Sequence, residues 1–155
     1  MRFGYHTVET IIVRFAGNTL RYDNTTLITS VKGENVMAIG KKTWVFADGD
    51  LPPQGNEEPF GHEALMVANS GERDAHLSLK ILFEDKAPVE GVHLTVPAQR
   101  VNCFRMDFPV GEEKFSIPKG QYAVILTSDE PIVALYGRLD RRKDMAYYPI
   151  AGFSE

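Results

Sequence analysis

Only one cysteine, Cys103, occurs among the 155 residues. It has no partner for an intramolecular disulfide and cannot build a multi-cysteine zinc site, so the expected setting is reducing and cytoplasmic. Long apolar runs are missing as well. Nothing approaches the roughly 18 consecutive apolar residues of a membrane helix, and the opening residues lack the charged-then-apolar pattern of a secretory leader. Positive charge is in deficit, with 17 Lys/Arg against 21 Asp/Glu and a net charge of −4. Nucleic-acid binders carry a basic excess or patch. Here the one cationic cluster is Arg141-Arg142-Lys143 with Arg138 nearby, which disfavours DNA unless an oligomer gathers several copies. No convincing helical periodicity, internal repeat or low-complexity tract is present, and no catalytic triad, dinucleotide fingerprint or paired-carboxylate pattern stands out.

What remains is strand-like. Residues 122–140 hold two apolar blocks rich in β-branched and aromatic residues, separated by Ser128-Asp129-Glu130-Pro131. This reads as a β-hairpin. Tyr122, Val124 and Leu126 share one face and Ala123 and Ile125 the other; Val133, Leu135 and Leu139 oppose Ile132, Ala134 and Tyr136. Apolar residues on both faces predict that both are covered, by a second sheet or another subunit. Further strands are expected at 42–46, from Phe60 to Ala68, from His76 to Glu84, from Gly91 to Val96, from Arg100 to Phe108 and near 146–150. Between the first two lies a long Gly-, Pro- and Asp-rich loop from Ala47 to Pro59, and a loop of that length is often functional. Roughly eight short strands with turn signals between them predict an all-β, antiparallel β-sandwich or jelly roll.

The first 36 residues separate from the rest. They carry four Lys/Arg against three Asp/Glu, leaving thirteen against eighteen for residues 37–155. Thr7 to Phe15 and Thr19 to Val31 could pair about Gly17-Asn18. Yet Lys32-Gly33-Glu34-Asn35-Val36-Met37 is what a purine-rich ribosome-binding site followed by a start codon yields when translated. The expectation is therefore a mis-assigned or appended segment 1–36 and a single domain over 37–155.

The site candidates are polar groups at strand ends. His62 and Glu63 are adjacent, so in a strand they point to opposite faces and cannot jointly chelate by spacing alone. A zinc-protease motif is excluded because position 66 is Met66. Arg100, Arg138 and Asp140 form a second set, since a guanidinium and a carboxylate can clamp hydroxyls or an anion. The competing reading of both sets is structural: loop anchoring for the first, an inter-strand or intersubunit ion pair for the second. Trp44, Tyr136, Tyr147 and Tyr148 offer faces for stacking on a ring or for packing. Cys103 reads as a packing thiol. Gly40-Lys41-Lys42-Thr43 lacks the upstream glycine of a phosphate loop and precedes a strand, and Asp48-Gly49-Asp50 lacks the closing glutamate of a calcium loop. No metal or cofactor is expected.

Several ordered motifs carry a family resemblance over residues 40–150. They are Gly40-Lys41-Lys42-Thr43-Trp44, Leu51-Pro52-Pro53, Phe60-Gly61-His62-Glu63, Val96-Pro97-Ala98-Gln99-Arg100, Ser128-Asp129-Glu130-Pro131-Ile132-Val133 and Arg138-Leu139-Asp140-Arg141. In these the chain resembles the Anabaena sensory rhodopsin transducer family. The resemblance implies a small β-sandwich that forms a tetramer, couples a membrane light sensor to the cytoplasm in one member, with DNA binding also reported, and binds small molecules such as sugars more widely. Gly61 stands where a serine often precedes the His-Glu pair, and Gln99-Arg100 where a basic pair follows Val-Pro-Ala. The resulting expectation is a non-enzymatic, homo-oligomeric signal-transduction module whose ligand meets His62, Glu63, Arg100, Arg138 and Asp140. The alternatives are a DNA-binding regulator using Arg138, Arg141, Arg142 and Lys143, and an enzyme.

Overall fold

The computed structural model describes residues 11–15, 18–22 and 38–155. The chain divides into two units between Asn35 and Val36. In the first, β1 (Ile11–Phe15) pairs antiparallel with β2 (Asn18–Tyr22), with Phe15 opposite Asn18. The remaining residues of the two stretches expected to pair, and the proposed start at Met37, lie outside the described residues.

The second unit holds eight strands: β3 (Lys41–Asp50), β4 (His62–Asn69), β5 (Ala75–Phe83), β6 (Val89–Val96), β7 (Arg100–Arg105), β8 (Gln121–Asp140), β9 (Ala146–Ile150) and β10 (Gly152–Ser154). All are antiparallel. Among the described residues regular structure is strand alone, and no helix is long and apolar enough to cross a membrane.

The expected hairpin at 122–140 is corrected: it is one continuous strand of 20 residues. Its first half pairs with β3 and β5, its second with β4 and β9. Two sheets result, ordered β10-β3-β8-β5-β6 and β7-β4-β8-β9, and β8 belongs to both. The polar Ser128-Asp129-Glu130-Pro131 segment does not reverse the chain; it is where β8 leaves one sheet for the other. Pro131, which has no N–H to give a ladder, falls in the short interval where no strand pairs with β8.

The alternation read from the sequence survives this correction. Tyr122, Val124, Leu126, Ile132, Ala134 and Tyr136 are all buried, so even-numbered residues of β8 point inward in both sheets. They meet Leu65 and Val67 of β4, Leu77, Leu79 and Ile81 of β5, and Val92 and Leu94 of β6 in one core. Trp44 lies at its margin, stacked on Phe46 with ring centroids 6.3 Å apart. Three boundaries also move. β3 runs through Ala47-Asp48-Gly49-Asp50 by way of a bulge between Phe46 and Gly49, which shortens the loop to 51–61. β7 stops at Arg105 because Met106 turns into the core. The short β10, unforeseen, pairs with β3.

Gly40 enters β3 with φ +129°, and a Cβ there would collide with the backbone of Ile132. Gly120, at φ +115°, has open space where its Cβ would sit. Left-handed strain alone costs on the order of 1–3 kcal/mol. Gly40→Ala is thus expected to destabilise clearly more than Gly120→Ala in urea unfolding, and equal losses would mean that β3 does not start against Ile132.

Candidate functional site

Glu63 and Arg138 are register partners on β4 and β8, both on the inner face and both buried. An isolated buried carboxylate is prohibitively costly, so its partners must come with it. Arg138 Nε donates to Glu63 Oε1 at 2.7 Å, and the backbone N–H of Asp50 donates to the same oxygen at 3.0 Å. The Tyr122 hydroxyl donates to Glu63 Oε2. The Tyr136 hydroxyl lies 2.6 Å from that of Tyr122 and 3.5 Å from Oε2. The rest of the guanidinium is used too: Nη1 donates to the Tyr148 hydroxyl at 3.0 Å and Nη2 to the Asp48 carbonyl at 2.7 Å. The cluster thus ties β3, β4, β8 and β9 together at one end of the sandwich.

Its electrostatics are those of a closed network. Burial, followed by the proximity of Tyr136 and Glu63, pushes the Tyr122 phenol far above its ordinary value. Burial and Glu63 do the same to Tyr136. For Arg138, burial on its own disfavours the cation, but the hydrogen bonds to Glu63 and Tyr148 outweigh it and hold the guanidinium charged. Among the described residues no buried side-chain nitrogen or oxygen lacks a partner. The arrangement can lock a register and anchor the Asp48–Asp50 bulge, and each of its buried side-chain nitrogens and oxygens already has a partner.

The other expected site residues disperse around this cluster. His62 faces outward, and its Nδ1 lies 2.8 Å from the Phe60 carbonyl. A carbonyl only accepts, so Nδ1 carries the proton. His62 lines an open recess of about 470 Å³ with Glu58, Pro59, Phe60 and Arg105. Asp140 joins a rim clasp in which Arg142 Nε bonds Asp140 at 2.9 Å and Arg142 Nη2 bonds Asp50 at 2.5 Å. It reaches Glu63 only through Arg142 and Asp50. Arg100 is opposite Asn69 at the far end of β4, exposed, and bonded to the Gln99 carbonyl; the structure does not bring it to the others. Of the four cations expected to meet DNA, Arg138 is buried against Glu63 and Arg142 is held by two carboxylates. Only Arg141 and Lys143 stand without an ion pair among the described residues.

Two functional elements were not foreseen. Asp48, Asp50 and Tyr122 complete the cluster, and only Tyr122 left a trace in the sequence, as a hydroxyl on an otherwise apolar inward face. Arg105 and Asp107 form a bidentate pair, with both bonds at 2.7 Å, beside the His62 recess. That pair holds the Asp107 carboxyl below its usual range against the opposing effect of burial. Among the described residues no three His, Cys, Asp or Glu side chains gather to hold a metal.

Comparison with known proteins gives a consistent answer. The sequence profile of the Anabaena sensory rhodopsin transducer family matches residues 39–153. In solved structures, the crystal structure of Thermotoga maritima 1070 is 28% identical with a TM-score of 0.66, the match covering 75% of this chain and 96% of that one. The Anabaena sensory rhodopsin transducer is 37% identical with a TM-score of 0.58, over 68% and 94%. No curated protein matches significantly.

Removing one member of a buried ion pair costs about 3–5 kcal/mol, whereas removing both costs far less. Arg138→Met is therefore expected to lose that much in urea unfolding, and Glu63→Gln added to it should restore part of the loss. Losses that simply add would show the two groups to be uncoupled. The tyrosines set an alkaline limit. Both stay protonated in the folded chain while their unfolded counterparts ionise near pH ~10, so their contribution is whole below that pH and declines as pH rises above it. In an alkaline titration Tyr136→Phe should shrink only the tyrosinate absorbance step that coincides with loss of the sheet signal. Shrinkage of an earlier step would contradict the sealed network.

Proposed function

The chain belongs to the Anabaena sensory rhodopsin transducer family, and from that premise we propose that it is a non-catalytic signal-transduction module which assembles with copies of itself and relays the state of a partner. The observation that carries this is the outer face of the β7-β4-β8-β9 sheet. Val101, Val133, Leu135 and Tyr147 are 68%, 43%, 45% and 61% exposed. Register places the first three in one patch: Val101, Ala68 and Val133 form one cross-strand row, and Cys103, Met66 and Leu135 the next, while the Tyr147 ring lies over Gly137 beside Met66. Contiguous exposed apolar surface of this kind marks an interaction site. A second copy is the occupant this reading assigns, and four copies are the assembly suggested by the resemblance. A membrane sensor is the partner suggested by the relative's name, and the cytoplasmic side of such a sensor is the setting this reading assigns to the module.

The non-catalytic reading is supported by the buried Glu63–Arg138 pair, whose charged groups are already bonded to each other and to Asp50, Tyr122 and Tyr148. A second reading, binding of a small polar ligand such as a sugar, is favoured by the His62 recess. There the half-exposed Phe60 ring offers a face for stacking, with the side chains of His62, Glu58 and Arg105 beside it for hydrogen bonding. DNA binding has less support, since Arg138 and Arg142 are already engaged.

Sedimentation of the wild type and of Leu135→Lys tests the first reading. The wild type should sediment as an oligomer at micromolar concentration and Leu135→Lys as a smaller species with its fold retained; a monomeric wild type overturns it. Thermal melting against a panel of sugars tests the second, because a ligand of the native state raises the midpoint. The shift should vanish in Phe60→Ala, and a shift unchanged by that substitution would move the ligand elsewhere.

A further inference from the structure

The two sheets have four edges, and three are protected. β10 is only three residues long. β9 carries Pro149, which removes a backbone donor. β6 is covered by the 111–114 turn: Glu112 N–H donates to the His93 carbonyl at 3.0 Å and His93 N–H donates to the Glu113 carboxylate at 2.7 Å. The same carboxylate also bonds His93 Nδ1 at 2.6 Å, and these bonds, the backbone one first, lower its pKa to about 2. The fourth edge, β7, is six residues long and is flanked by the 108–112 segment across a cavity. It contains no proline, pairs with β4 over six residues without a bulge, and has no other strand partner among the described residues.

The groups that β7 leaves free follow from its ladder. Met106 N–H donates to the Glu63 carbonyl at 2.9 Å, one step beyond the Ala64–Arg105 pair. By the alternation of antiparallel pairing, Phe104, Asn102 and Arg100 also turn their backbone groups to β4. The N–H and C=O of Val101, Cys103 and Arg105 therefore point off the sheet, repeating every second residue, or about 6.6–6.8 Å.

These groups face a groove, not open solvent. β6 and β7 are joined by a short turn but enter different sheets, so they splay apart. Next to the turn, Asn102 Nδ2 donates to the Thr95 carbonyl at 3.3 Å. Further on, a cavity of about 440 Å³ opens between residues 93–95 and 103–105. Leu94, Phe104 and Phe108 are among its apolar lining, and residues 109–112 close one end.

We propose that the β7 edge is a docking site for an extended peptide segment of a partner protein, added as a strand antiparallel or parallel to β7. Only extended main chain supplies alternating donors and acceptors at that repeat, which selects a peptide over a small molecule as occupant. Its inward side chains would meet Leu94, Phe104 and Phe108, so the segment carries an apolar residue at every second position. This site is distinct from the sheet face assigned to self-association, because it uses main-chain groups and leaves Leu135 untouched.

The probe is a linear peptide enriched from a displayed library panned against the full chain, then synthesised and titrated. Bound peptide should slow amide exchange at Val101, Cys103 and Arg105 by about tenfold or more while Asn102 and Phe104 stay unchanged. N-methylating the peptide at alternate residues should abolish binding in one phase and spare it in the other. Leu135→Lys should bind the peptide as the wild type does, which separates this site from the self-association reading. The proposal is overturned if no peptide is enriched, if both methylation phases behave alike, or if protection appears elsewhere. It is equally overturned if the three amides are already protected in the free oligomer, which would give the edge to a second copy.

Discussion

A strand can serve two sheets only if its side chains never lose step, because a single slip would turn every later inward residue to solvent. β8 meets that condition on both sides of its crossing, with Tyr122, Val124 and Leu126 inward before it and Ile132, Ala134, Tyr136 and Arg138 inward after it. The rest of the second unit hangs on it. β3 and β5 flank its first half, β4 and β9 its second, and the core forms where the two inner faces meet. The passage between sheets is made by residues that would weaken any ladder, with Pro131 in the unpaired interval. A polar segment that looks like a turn is instead a hand-over point.

The same alternation explains why a charged cluster sits at one end of the core. Carrying the even positions onward from Tyr136 brings Arg138 inward, and its register partner on β4 is Glu63. A guanidinium and a carboxylate forced into an apolar interior are tolerable only if each remaining atom is engaged. Asp48, Asp50, Tyr122, Tyr136 and Tyr148 do this. The network also fixes the bulged end of β3, and through Arg142 it reaches the rim at Asp140. It is a joint among four strands, and the surfaces free to meet other molecules lie outside it: the apolar outer face, the His62 recess and the β7 edge.

These surfaces are separated by backbone geometry. The outer face belongs to side chains of odd-numbered residues of β8 and their neighbours. The edge belongs to main-chain groups of β7 that no strand claims among the described residues. The proposed function asks for one surface that holds copies together and another that remains open to a partner, and the two kinds of surface in this sandwich differ in chemistry as well as in position.

Composition and alternation were enough to read an all-β chain of about eight strands, which residues of β8 share a face within each half, and the opposite orientations of His62 and Glu63. Those are local properties with a period of two, carried by neighbours in the chain. The family was legible as well, through short motifs at strand entries. What could not be read was which strand pairs with which, since register is set by residues far apart in sequence. Tertiary pairing alone turned an apparent hairpin into one strand, brought Glu63 to Arg138 across 75 positions, sent Arg100 to the far end of β4, and left the outer edge of β7 without a strand partner among the described residues. The sequence by itself determined the period of two that sorts side chains between the two faces of each strand. Only the packing of the two sheets decided what they are buried against, because the free energy of a buried charge depends on partners that the chain delivers from distant strands.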